Sequence, residues 1–170
     1  MKNSTTSRLC RAGVIAALYV ALNYAFAPVA FGPFQIRPAE ALCILPLIFP
    51  ESVWALFVGC VFSNLLLSPF VYDVVFGSIA TLLAAFCTYL AGKHIKTTTK
   101  KLVWGCFSPV FFNTIIIPFV IVFLAGGGAE YESLWGAYLL FAFSIFVTET
   151  ACVYGLGIPL YNTIKKFNNS

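Results

Sequence analysis

A chain of 170 residues that is 61% hydrophobic and only 9% charged, with a mean hydropathy of +0.93, is excluded from the soluble class, where charged residues make up roughly a quarter of the sequence. One domain is expected at this length, and long charge-free runs assign it to a lipid bilayer. The net charge of +4 is spread over short connections without a basic amphipathic face, so it reads as an orientation signal rather than a nucleic-acid-binding surface.

The charge-free windows predict an all-α integral membrane protein with six transmembrane helices in a single domain covering residues 1–170. The first span, 12–34, follows Arg8 and Arg11. Its opening imitates a signal peptide, and Ala25-Phe26-Ala27 resembles a cleavage site, but the uncharged run continues far enough to span, so a retained helix is expected. The second span, 38–50, has only 13 residues. As an α-helix it would cover about 20 Å of a hydrocarbon core roughly 30 Å thick, so a re-entrant segment is the alternative. Phe49-Pro50-Glu51-Ser52 predicts a tight break, followed by the third span at 52–72 and the fourth at 74–92. The fifth, 102–125, lies in an uncharged stretch reaching residue 129. The sixth, 134–160, lies in a stretch from 133 to 164 interrupted only by Glu149.

The basic residues choose between five crossings and six. With six, Lys2, Arg8, Arg11, Lys93, Lys96, Lys100, Lys101, Lys165 and Lys166 share one side and only Arg37 faces the other. The positive-inside rule therefore predicts both termini in the cytoplasm. The outer connections, 32–37, 68–73 and 126–133, then carry Gln35, Arg37, Tyr72, Asp73, Glu130, Tyr131 and Glu132. Gly126-Gly127-Gly128 gives the last connection backbone freedom, and Trp135 stands at its far end, which makes this loop a candidate lid.

Polar residues within the spans are candidate ligand contacts. Glu149 lies near the middle of the sixth span, where a carboxylate costs about 2.5–3.5 kcal/mol, so it is expected to face a protein interior or a wet cavity. Tyr138 is eleven residues earlier, about three turns away, and shares its face. Asn64 and Asn113 are mid-span amides able to donate and accept; Asn23 reads as a helix–helix hydrogen bond. Around residue 37, Pro38 suits a first helical turn, Glu40 is favoured there by the helix dipole, and Arg37 is spaced to pair with Glu40. The first span also presents two rows of small residues, Ala12 and Ala16 in one and Ala17, Ala21 and Ala25 in the other, either of which lets a neighbouring helix approach closely.

The six cysteines, Cys10, Cys43, Cys60, Cys87, Cys106 and Cys152, form no CxxC pair or Cys/His cluster, so no zinc site or disulfide framework is expected. They read as small, reduced residues of the membrane core. His94, among lysines, is expected to be solvated. The chain has no phosphate-binding loop, no H-E-x-x-H and no G-x-S-x-G, so no catalytic residue and no cofactor is predicted, and active transport would draw its energy from elsewhere. It also has no internal repeat, which argues against an inverted-repeat carrier.

The short six-helix pattern, the alanine-patterned first helix after an N-terminal Arg, and the string Gln35-Ile36-Arg37-Pro38-Ala39-Glu40-Ala41-Leu42 followed by Leu45-Pro46 together resemble the QueT family. Its members are substrate-binding S-components of energy-coupling-factor (ECF) transporters. The resemblance implies uptake of 7-deazaguanine precursors of queuosine, the cyano and aminomethyl forms or the free base queuine. It also implies docking through the alanine row on a transmembrane coupling subunit driven by two cytoplasmic ATPases. A deazaguanine offers N1–H and an exocyclic amine on one edge, which a carboxylate accepts, and a carbonyl to which an amide donates. Its flat ring stacks on Tyr or Trp. Glu40 and Glu149 are both candidates for that carboxylate, with Asn64, Asn113 and Gln35 as amide partners, Arg37 holding Glu40, and Tyr72, Asp73, Trp135 and Tyr138 from the outer face and the sixth span. The alternatives are an S-component for another vitamin such as thiamine or riboflavin, a self-sufficient carrier with Glu149 as relay, and an intramembrane enzyme.

Overall fold

The computed structural model describes residues 5–30, 35–68 and 70–168, and among these it contains helices and no strand. The elements are α1 (Thr5–Ala25), a single turn α2 (Ala27–Ala30), a 3-10 helix (Pro38–Leu47), α3 (Ser52–Leu67), α4 (Asp73–His94), α5 (Thr98–Leu124) and α6 (Leu134–Phe167). Successive long helices pack on one another, α1 on α3, α3 on α4, α4 on α5 and α5 on α6, and the 3-10 helix touches all five.

That central element follows from its sequence. A 3-10 helix has three residues per turn, so side chains at i and i+3 eclipse and form three longitudinal rows. Ala39, Leu42 and Leu45 make one row, packed with Ile15 and Tyr19 of α1 and with Val53, Leu56 and Cys60 of α3. Ile44 and Leu47 belong to a second row, set against Cys106 and Val110 of α5 and Val153 of α6. Glu40 and Cys43 form the third, which is polar. Residues 39–46 are all buried. Pro38 at the first turn and Pro46 inside the helix each lack a backbone N–H, and Pro46 cannot make an α-helical bond back to residue 42. Glycines on the surrounding helices make room: a Cβ at Gly105 would lie 3.0 Å from Leu47 Cδ1, and one at Gly157 would lie 3.3 Å from the Ala41 carbonyl oxygen.

The outside of the bundle is apolar, and the largely apolar inside also holds a set of polar side chains, unlike a water-soluble helical protein, whose surface is polar. Phe143 is 71% exposed and Leu139 65%, as are many other large apolar side chains, whereas Asn64, Asn113, Asp73, Glu40 and Glu149 are buried. Apolar surface on this scale requires lipid or a partner. By length and composition α4, α5 and α6 can cross a bilayer; Pro38–Leu47 and Ser52–Leu67 are shorter apolar helices.

The predicted windows shift at their ends. The first helix begins at Thr5, earlier than 12, and gives way at Phe26, where the coming Pro28 disfavours continuation. Residues 31–34 of the predicted first span, like Lys2 of the basic N-terminal face, lie outside the described residues. The second window is a ten-residue 3-10 helix, which at about 2.0 Å per residue spans about 20 Å and is surrounded by protein. The third ends at Leu67, because Ser68 is extended (φ −83°, ψ 135°) ahead of a proline in the sequence. The fourth runs from Asp73 to His94, the fifth from Thr98 to Leu124 and the sixth on to Phe167. Ser133 caps α6 by accepting from the Gly136 N–H at 3.3 Å, as expected for a serine at that position.

α4, α5 and α6 each contain a π-helical turn, at Asp73–Gly77, Val120–Leu124 and Val153–Gly157. Such turns disturb the regular backbone bonding and recur at functional sites. Side chains meet the backbone there: the Asn64 amide donates to the Asp73 carbonyl at 2.9 Å, and the Cys106 thiol approaches the Val153 carbonyl at 3.9 Å.

Candidate ligand-binding site

Two carboxylates are buried in the interior, each in its own setting. Glu40, on the polar row of the 3-10 helix, is fully buried. The Tyr19 hydroxyl donates to its Oε1 at 2.5 Å, and the Cys43 thiol donates to its Oε2 at 3.0 Å. The thiol reaches it because residues three apart eclipse in a 3-10 helix. Glu149, 3% exposed, sits on α6 four residues before the π-helical turn. The Asn113 amide of α5 donates to its Oε1 at 2.7 Å, while Oε2 has no hydrogen-bond partner. Glu40, Arg37 and Glu149 are all buried.

Around them lie Asn64 and Asp73. The Asn64 amide nitrogen donates to the Asp73 carbonyl and approaches Cys60 Sγ at 3.4 Å. Gly77 leaves room for that amide, since a Cβ there would lie 2.9 Å from Asn64 Nδ2. The Asp73 carboxylate accepts from the Ser68 hydroxyl at 2.5 Å. Thr81 donates to Gly77 O at 3.1 Å and contacts Cys60 Sγ at 3.3 Å. Asn64 thus fastens the start of α4 to α3, and its donor nitrogen is engaged in doing so.

Arg37 is buried and its Nε donates to the Ala30 carbonyl at 3.2 Å, tying the entry of the 3-10 helix to the end of α2. Both Glu40 oxygens accept side-chain bonds, from Tyr19 and Cys43. Gln35 has φ 49°, a left-handed conformation uncommon in a non-glycine residue. Such backbone strain clusters at ligand clamps and switch regions.

The aromatic candidates lie further out. Tyr72 is 47% exposed and Trp135 is 69% exposed; Tyr138 is half-buried and its hydroxyl donates to the Ile115 carbonyl at 3.3 Å. Trp135 and Tyr138 form an aromatic cluster with Phe123, with centroids 5.6–6.3 Å apart. Tyr138 and Glu149 share α5 as hydrogen-bonding neighbour, in keeping with the three-turn spacing. The loop before them is tightly folded. Gly126 takes φ +77°, and a Cβ on Gly128 would fall 2.7 Å from Leu134 Cδ2 and 2.8 Å from Val122 Cγ1.

The two alanine rows part company. Ala12 and Ala16 pack against the core, and a Cβ on Gly59 would lie 3.1 Å from the Ala16 carbonyl, so this row serves the α1–α3 contact. Ala17, Ala21 and Ala25 are exposed.

Sequence reasoning passed over Tyr19, Cys43 and Cys60. The cysteines read as inert small residues, yet Cys43 donates to Glu40 and Cys60 receives Asn64 and Thr81. The signal that would have found Cys43 is the Glu40-x-x-Cys43-x-x-Pro46 spacing, once read with a period of three. Tyr19 and Asn23 stand one turn apart on α1, and the Asn23 amide donates to the Tyr19 carbonyl at 3.2 Å.

Residues 9–166 match the family model described as QueT transporter. Over 84 residues, 48% of this chain, the sequence is 33% identical to the queuosine precursor transporter QueT of Lactococcus lactis subsp. cremoris (strain MG1363), and the match spans about half (49%) of that relative's length. No solved structure matches the chain. An apolar exterior, three helices of membrane-crossing length and a family match running through almost the whole chain lead to one assignment: this is a multi-pass membrane protein, and it belongs to the QueT transporter family.

Proposed function

We propose that the chain is the substrate-binding S-component of an ECF-type importer and takes up 7-deazaguanine precursors of queuosine. The match to the QueT family over residues 9–166 carries this reading, and the buried polar interior supports it. A ring with several donors on one edge suits an interior with two carboxylates and two amides, Glu40, Glu149, Asn64 and Asn113, since carboxylates only accept. The cyano and aminomethyl deazaguanines and queuine share that edge. Gln35, Arg37, Tyr72, Asp73, Trp135 and Tyr138 are proposed to line the outer approach.

The chain is proposed to cross the membrane six times with both termini cytoplasmic, which leaves Lys93, Lys96, Lys100, Lys101, Lys165 and Lys166 on the inner side. Energy comes from two cytoplasmic ATPases through a coupling subunit that docks on the exposed Ala17, Ala21 and Ala25 row of α1, where small side chains permit close helix approach.

The test is uptake of labelled 7-aminomethyl-7-deazaguanine into proteoliposomes. With the coupling subunit and ATPases present, ATP-dependent accumulation is expected. Accumulation by this chain alone would identify a self-sufficient carrier and overturn the S-component reading.

A further inference from the structure

We propose that the two buried carboxylates divide the work: Glu149, held by Asn113, reads the donor edge of the ligand, and Glu40 is a structural strut. The inference rests on the deazaguanine reading above and decides which group makes the specific contact.

The geometry separates them. Each Glu40 oxygen already accepts a side-chain bond, from Tyr19 Oη at 2.5 Å and Cys43 Sγ at 3.0 Å. The Tyr19 bond joins α1 to the 3-10 helix and the Cys43 bond holds the carboxylate against its own helix, so Glu40 works as a knot in the core. A ligand donor at Glu40 would have to share an oxygen already held by Tyr19 or Cys43, whereas Glu149 offers an oxygen held by nothing. Glu149 has Oε1 bonded to Asn113 at 2.7 Å and Oε2 bare, in a residue 3% exposed. A buried carboxylate oxygen without a donor is costly, and such atoms in a native protein point to a missing partner. Oε1 also keeps a spare lone pair, so the group can accept two parallel donors such as N1–H and the exocyclic amine.

Glu149 is not alone in having an unpartnered polar atom. Asn23 spends its Nδ2 on the Tyr19 carbonyl, and its buried Oδ1 has no partner. Ser63, Ser78 and Thr114 also keep buried hydroxyls without a partner, and these can donate as well as accept, so the interior has polar capacity to spare and the carboxylate oxygen of Glu149 is its one charged acceptor among these atoms outside the Arg11–Glu51 pair. Asn113 acts through Glu149 and is a positioning residue: its amide holds Oε1 and leaves Oε2 without a partner.

The experiment titrates the purified chain with 7-aminomethyl-7-deazaguanine and with the analogue lacking the exocyclic amine, measuring melting temperature alongside. The parent is expected to favour the amine-bearing ligand at least about tenfold, because an analogue leaves the carboxylate unpaired. Glu149→Gln should lose affinity by at least about tenfold and most of the discrimination. Glu40→Gln should lower the melting temperature and keep the discrimination. Asn113→Leu, which leaves the carboxylate present but unheld, should narrow the discrimination, and it gives the same readout if Glu149→Gln fails to fold. Discrimination lost in Glu40→Gln and kept in Glu149→Gln or Asn113→Leu overturns the inference. A parent that binds neither ligand overturns the deazaguanine reading itself, and this inference with it.

Discussion

At the scale of single residues, the interior is organised by what each polar atom lacks. Tyr19 reaches 0% exposure because its ring fills the α1–α3 contact while its hydroxyl finds Glu40. Tyr19→Phe keeps the ring and removes the donor. It is expected to destabilise the protein by about 1–3 kcal/mol, the range for stranding one buried partner, and to leave ligand discrimination intact. Thermal unfolding in detergent, followed by a ligand titration, checks both halves. That Glu149 and Asn113 face the protein interior and need polar partners was legible in the sequence, since a carboxylate and an amide in apolar spans must find them, and the two bond to each other. The role of Tyr19 was not, because nothing in an apolar helix marks one tyrosine as facing a carboxylate 21 positions away. Cys43 was hidden for another reason: its bond to Glu40 depends on a helix that repeats every three residues.

At the scale of elements, the 3-10 helix explains why a window too short to be an ordinary span reads as continuously apolar. It is shielded by five helices and meets lipid little, so the requirement that a lipid-exposed segment cross the full hydrocarbon core does not bind it. Its proline content and its Ala/Cys small residues were visible; the winding was not, because an α-helix and a 3-10 helix of ten residues share most of their sequence preferences. The first helix illustrates a related limit. Its two alanine rows looked equivalent, and only the close approach of Gly59 on α3 shows which one is used inside the chain. Gly59→Ala places a Cβ 3.0 Å from Tyr19 Cβ and 3.1 Å from Ala16 O. It should push α1 from α3 and cost about 1–3 kcal/mol, as overpacking does, read as a lower melting temperature. Ala21→Leu sits on the exposed row. It should leave melting temperature and ligand affinity near parent values and abolish ATP-driven uptake by the reconstituted complex, because a bulky side chain prevents close helix docking. Loss of binding in Ala21→Leu would instead place that row inside the monomer's own packing.

At the scale of the whole molecule, composition announced the membrane, and the structure gives the matching exterior, with large apolar side chains exposed. The number of crossings rests on the basic residues. Reporters inserted at Thr97 and after Lys166 should both register as cytoplasmic, and an external signal at either position would contradict six crossings. Substrate identity was less legible, since one bundle can serve many ligands and the distinction lies in a few buried atoms. The measurement that bears most directly on the central claim is a calorimetric titration of the purified chain, free of coupling subunit and ATPases, with 7-aminomethyl-7-deazaguanine, and with thiamine and riboflavin in parallel. The account predicts saturable binding of one deazaguanine per chain and none of the two vitamins; binding of either vitamin in preference to the deazaguanine would contradict it.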